Sequence, residues 1–232
     1  MARSLPIRLS EKCVPSTLHL TNMEFNVVDL GRMPYLPCVE LQKSLLEQVI
    51  EGSQPSTLLF VEHDPVLTLG ASFHEQNLLL PIAEYERRGI EVIRTDRGGD
   101  VTFHGPGQLV MYPIFNLSET ERDLHKWLRS LEETMIVALR SLGIEGRRFA
   151  PHTGAWVRDR KIAAIGIKIR KWVSMHGISL NCDNDLGSFD LIVPCGIKGY
   201  GVTSLTRELG RTFTISEAKP VALEAFRTVF VE

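Results

Sequence analysis

No stretch of this 232-residue sequence stays apolar over the roughly 18 residues that a membrane-spanning helix needs, which excludes a transmembrane-helix protein. Cysteine is scarce. Cys13, Cys38, Cys182 and Cys195 show no CxxC pair and no framework spacing, which argues against a disulfide scaffold and the common structural zinc motifs. With no secretory signal, all four are read as reduced thiols. An excess of one charge is missing too: 26 Lys and Arg stand against 28 Asp and Glu, a net charge of −2. That balance gives no electrostatic footprint for nucleic acid or a membrane surface as partner. Internal repeats, low-complexity tracts and linkers are also missing, so one domain is expected over 24–232.

The hydrophobic content of 44% and charged content of 23% are those of a globular protein. Residues 1–23 read as a loose N-terminal extension. They hold Arg3, Arg8 and Lys12 and two prolines, as an organellar transit peptide does, but Glu11 and the lack of an apolar face favour a bacterial extension. The compartment expected is the bacterial cytoplasm, with the mitochondrial matrix as the alternative.

Periodicity predicts strands at Phe25–Leu30, Thr57–Val61, Val66–Leu69, Glu91–Thr95 and Leu109–Ile114, then at Gly154–Val157, Lys161–Ile169 and Trp172–Cys182. A tight turn is expected at Arg170–Lys171. Helices are expected at Tyr35–Ile50, Pro81–Arg88, Thr120–Leu142 and Ser216–Phe230, the last capped by Ser216. Asp185–Ile192 is ambiguous. Strands outnumber helices and mostly follow one another directly, which predicts an α+β fold: a mixed, mostly antiparallel sheet packed with helices.

The densest signal is Arg97 to Gln108, which packs four glycines, a proline, an arginine, a threonine and a histidine into one loop before an apolar strand. Such glycine density lets a backbone approach a ligand closely; an ordinary Gly/Pro turn is the plain alternative. Cys195 sits between Pro194 and Gly196, as a displayed nucleophile or as a buried structural thiol. Lys161 opens the small-residue strand Lys161–Ile167, either facing a ligand or snorkelling to solvent. His104 and His176 are structural or, with Cys195, zinc ligands, although their spacing matches no common zinc pattern. The run Arg158–Lys171 carries six basic residues against Asp159; it is either a docking strip for an acidic carrier or a solvated strand surface.

Three of these segments, with the block around His176, together resemble the LipB family of lipoyl(octanoyl)transferases. Arg97-Gly98-Gly99-x-x-Thr102-Phe103-His104-x-x-Gly107-Gln108-x-x-x-Tyr112 is similar to its signature. Lys161 to Gly166, His176 to Asn181, Val193 to Gly196, and Val202 to Leu205 with Glu208-Leu209 match its further blocks in order. The resemblance covers about residues 25–230. It implies the fold of biotin and lipoate protein ligases, and transfer of octanoyl from octanoyl-acyl carrier protein to a specific lysine of a lipoyl domain. The acceptors implied are the lipoyl domains of 2-oxoacid dehydrogenase E2 subunits and the glycine cleavage H protein. It implies Cys195 as the acyl-thioester cysteine and Lys161 as the lysine that lowers its pKa. The substrate-binding segments implied are Arg97, Gly98, Gly99, Asp100, Val101, Thr102, Phe103 and His104, then Ala164, Ile165 and Gly166, then Gly177, Ile178 and Ser179. It implies no cofactor and no metal.

That chemistry suits the residues. The thiolate is the attacking form, and at an unperturbed pKa near 8.5 only about 3% of a cysteine is thiolate at pH 7. A neighbouring ammonium raises that fraction, while Ile162–Ile167 offers a wall for an acyl chain worth about 0.8 kcal/mol per buried methylene. Rival readings are an ATP-dependent lipoate or biotin ligase on the same fold, a catalytically silent binding module, and a cysteine hydrolase using His176 or His104 as base.

Overall fold

The computed structural model describes residues 24–119, 122–194 and 199–231. The extension expected at 1–23 lies outside them, as do Cys13 and Cys195. Eleven strands occur among the described residues: β1 (Asn26–Met33), β2 (Thr57–His63), β3 (Val66–Leu69), β4 (Glu91–Arg94), β5 (Val101–His104), β6 (Gln108–Ile114), β7 (Arg147–Phe149), β8 (His152–Val157), β9 (Arg160–Arg170), β10 (Val173–Asn181) and β11 (Gly201–Val202). The helices are α1 (Tyr35–Ile50), α2 (Ile82–Arg87), α3 (Leu124–Ser141), α4 (Leu205–Leu209) and α5 (Ile215–Phe230).

The fold is α+β, as expected, but built on two sheets rather than one. The large sheet runs β1-β2-β6-β10-β9-β8-β7 with β11 beside β9; the small one runs β4-β3-β5. β1 with β2, β3 with β4, and β11 with β9 pair in parallel, and the other pairs are antiparallel. The parallel β1–β2 pair needs a crossover, which α1 supplies.

Alternation along the strands builds two cores. Leu109, Met111, Ile178 and Leu180 face α3 and α5, meeting Trp127, Leu131, Met135, Phe226 and Phe230. Val110, Tyr112, Val173 and Met175 face the other way, onto Cys38, Leu46 and Val49 of α1. The small sheet has its own core around Leu67, Tyr85, Val101, Phe103 and Phe189, and α1 seals against it through Tyr35, Val39 and Val66.

Several boundaries differ from the sequence expectation for local chemical reasons. α3 starts at Leu124 because the Asp123 carboxylate accepts the His125 and Lys126 amides. α5 is capped by Thr214, not Ser216. The Thr214 hydroxyl accepts the Glu217 amide, and the Glu217 carboxylate accepts the Thr214 amide at 2.8 Å, a reciprocal capping box. The β9–β10 turn is Lys171–Trp172, one residue on from the expected pair, with φ of +48° and +63°; a two-residue hairpin loop with both φ positive matches the strand twist. The ambiguous 185–192 segment holds a 3-10 turn, Leu186–Leu191, nucleated by the Asp185 side chain on the Gly187 amide.

The basic run is not a bare strip. Arg158 and Arg160 reach Glu208, Lys168 pairs with Asp96, and Arg170 pairs with Glu47 of α1.

Candidate active site

A narrow cavity lies between the large sheet and the small one, with α1 at its side. The strand register sets its floor. Ser179 stands opposite Ala164 and Gly177 opposite Gly166 across β10 and β9, while Val110 pairs with Ser179 from β6. Four small residues in two adjacent rows leave a slot where larger side chains would close the sheets together.

The roof is the glycine loop. The Gly98 amide donates to the Ile167 carbonyl at 2.9 Å, pinning the loop to β9. A Cβ on Gly166 would lie 2.7 Å from the Gly98 carbonyl oxygen, so only glycine allows this approach. Arg97 is buried and ties the loop to β3. It donates to the Thr68 hydroxyl and carbonyl and to the carbonyls of Gly98 and Asp100.

The expected 97–104 segment is not one continuous lining. Residues 101–104 form a strand, which gives them a period of two. Thr102 and His104 line the slot with Arg97, Gly98 and Gly99. Val101 and Phe103 point into the small-sheet core, Phe103 against Phe189. Asp100 is a tie: its carboxylate accepts from the Val101 amide, from the His74 amide and ring, and from Asn77 Nδ2 at 2.6 Å. The Asn77 carbonyl in turn accepts the Val193 amide at 2.9 Å. Ala164, Ile165, Gly166, Gly177, Ile178 and Ser179 all line the slot.

Lys161 lies three residues ahead of Ala164 on β9, buried, with Nζ 5.0 Å from the centre of the Trp156 ring. Its main chain is held by β11, the Thr203 amide donating to its carbonyl at 3.0 Å. Cys195 lies outside the described residues. Cys182 and Cys38 are buried free thiols, each raised to about 12 by burial, so neither is poised to attack.

Sequence reasoning did not single out Tyr35, Val110 and Tyr112 as lining residues. Tyr112 does stand in the quoted signature; Tyr35 gives no local signal, because its role depends on α1 crossing two sheets. Three histidines gather at this end. His63 Nδ1–H donates to the Met33 carbonyl at 2.9 Å, which leaves Nε2 to accept the Tyr112 hydroxyl at 2.8 Å. His104 Nδ1–H donates to Gln108 Oε1 at 2.7 Å, and Gln108 Nε2 is fixed by Asn181 and the Phe103 carbonyl. His176 Nε2–H donates to Asp96 at 2.7 Å, and its buried Nδ1 meets no partner among the described residues.

Burial holds all three imidazoles neutral. It pushes His104 down to about 3, with His63 adding repulsion, and lowers His63 and His176 as well. Burial works to raise Asp96, but its bonds from Lys168 and His176 outweigh this and hold it at about 2. The sign of the pH effect follows. Unfolded histidine titrates near 6.5, so as pH falls the unfolded chain takes up the His104 proton first. That stability is complete above about pH 6.5 and lost progressively down to about 3, at roughly 1.4 kcal/mol per pH unit. Urea unfolding across that window is therefore expected to show a steeper loss in the wild type than in His104→Gln; equal slopes would refute the assignment.

The sequence profile of the lipoyl protein ligase A/B catalytic domain matches residues 34–227. The octanoyltransferase of Rubrobacter xylanophilus is 48% identical over 86% of this chain and 90% of its own length. Among solved structures, a lipoate-protein ligase A bound with ATP superposes with a TM-score of 0.70 at 19% identity, covering 89% of this chain and 85% of that one. The biotin protein ligase of Aquifex aeolicus, in complex with biotin and ATP, gives 0.56 at 16% identity over 88% and 70%. Both structures share the fold.

Proposed function

This chain belongs to the LipB branch of the lipoyl protein ligase A/B catalytic family, and we propose that it transfers octanoyl from octanoyl-acyl carrier protein to a lysine of lipoyl domains through a thioester on Cys195. The acceptors are the lipoyl domains of 2-oxoacid dehydrogenase E2 subunits and the glycine cleavage H protein, in a bacterial cytoplasm. The observation that carries this reading is the slot of small residues that begins three positions beyond the buried Lys161.

In the first half-reaction the Cys195 thiolate attacks the carrier thioester. A new carbon–sulfur bond forms, the carrier's breaks, and Lys161 gives the departing thiolate its proton. In the second, the acceptor lysine's amine attacks the Cys195 thioester, the amide forms, and Lys161 takes the amine's proton as the Cys195 thiolate leaves. Position and oxyanion stabilisation supply most of the rate. The Gly98 amide is already given to Ile167, so the oxyanion donor comes from another amide.

Incubation with octanoyl-acyl carrier protein, without ATP, followed by intact mass measurement tests the reading. One hydroxylamine-sensitive octanoyl adduct, absent in Cys195→Ala, is expected. No adduct, with activity only when octanoic acid and ATP are supplied, would replace the reading with a ligase.

A further inference from the structure

The slot has a built end. On β9, Lys161 and Ile167 are six residues apart, which at about 3.3 Å per residue separates their Cα atoms by about 20 Å. His176 stands opposite Ile167, and the slot floor lies between. His176, Ala164 and Gly166 line the slot, and Lys161 lies on the same strand beyond Ala164. At the far end His176 and Tyr112 meet edge to face, ring centres 6.5 Å apart.

His176 is held there in a left-handed backbone conformation. Its φ is +57°, a left-handed region that few non-glycine residues occupy, Asn, Asp and His more often than the rest. Three elements hold it. Gln42 of α1 accepts the His176 amide at 3.0 Å. Asp96, at the root of the glycine loop, accepts the ring Nε2–H, and Lys168 of β9 anchors Asp96 in turn. The ring is almost fully buried yet lines the cavity. A side chain fixed this firmly at the end of a slot is a stop.

We infer that His176 is the specificity-determining residue for acyl chain length: the acyl carbonyl lies toward Lys161, the chain runs over Ala164 and Gly166, and its tail ends on the imidazole. This rests on the transferase reading above and adds the direction of the chain and the residue that limits it.

The test is His176→Gly, because glycine is at ease at this φ and removes the stop without straining the main chain. Transfer to a lipoyl domain is measured with octanoyl- and decanoyl-acyl carrier protein. The ratio of kcat/KM for decanoyl over octanoyl is expected to rise roughly fifteenfold over wild type, which is two more methylenes buried at about 0.8 kcal/mol each. His176→Asn, which also tolerates a positive φ, is expected to give a smaller rise and serves if the glycine variant does not fold. An unchanged ratio in a folded variant overturns the inference. Wild-type protein that transfers neither chain sinks the transferase reading instead.

Discussion

Lys161→Arg is expected to keep the fold and lose transfer by about 10²–10⁴-fold, the range typical of removing a general acid–base group. Arginine preserves the positive charge and can still lie over Trp156, which sits 5.0 Å from Nζ. It cannot be deprotonated in a protein. On the proposed mechanism the substitution keeps the positive charge and removes the proton shuttle. Single-turnover kinetics separate the two half-reactions. Aminolysis of preformed octanoyl-enzyme is expected to suffer more than acylation, because the incoming amine must lose a proton there. Full activity in both steps would exclude the shuttle and leave Lys161 as a fixed charge. Trp156→Leu is the companion: with the ring gone the ammonium loses its stacking partner, and a smaller loss, about tenfold, is expected in the same assay.

Gly177→Ala is expected to have the largest effect on stability. A Cβ at Gly177 would collide with the Met111 carbonyl oxygen of β6 and lie 2.7 Å from Pro113 Cδ. Both obstacles belong to the central strand pair, so neither can swing aside as a surface side chain would. Overpacking a tight interior typically costs 1–3 kcal/mol, and here the obstacle is backbone, so about 3 kcal/mol or more is expected. For a chain of this size that lowers Tm by roughly 6–12 °C. A fall of less than 2 °C would show that β6 and β10 yield easily. Gly166→Ala differs in kind: its new methyl meets the Gly98 carbonyl oxygen at 2.7 Å, in the roof of the slot rather than in a central strand, so it is expected to raise KM and to lower Tm less than Gly177→Ala does.

Much of this molecule was legible in one sequence. The apolar spacing of α1 and α3 and the near-continuous apolar runs of β2 and β6, buried on both faces, report burial directly, and the fold class followed from their order. The family was legible from the blocks, and parts of three of those blocks line the slot. What the sequence did not show depends on partners far along the chain. Residues 97–108 look like one loop because glycine and proline dominate it; that 101–104 pairs with β3 and turns alternate residues away from the slot is a tertiary fact. The basic run at 158–171 looks bare because its acids, Glu47, Asp96 and Glu208, come from other elements. His176 carries no local mark of its left-handed backbone: Gln42 and Asp96, remote in sequence, hold it there. Ser216 looked like a cap because serine often is one, but the Glu217 carboxylate closes on Thr214 instead.

The link from Asp100 through Asn77 to Val193 acts as a tie-rod between two machine parts. One end is fixed to the roof over the slot and the other to the backbone entering Pro194. The roof of the slot and the segment ahead of Pro194 therefore share one hydrogen-bonded anchor. One carboxylate thus positions both the loop over the slot and, through Asn77, the backbone that leads to Pro194.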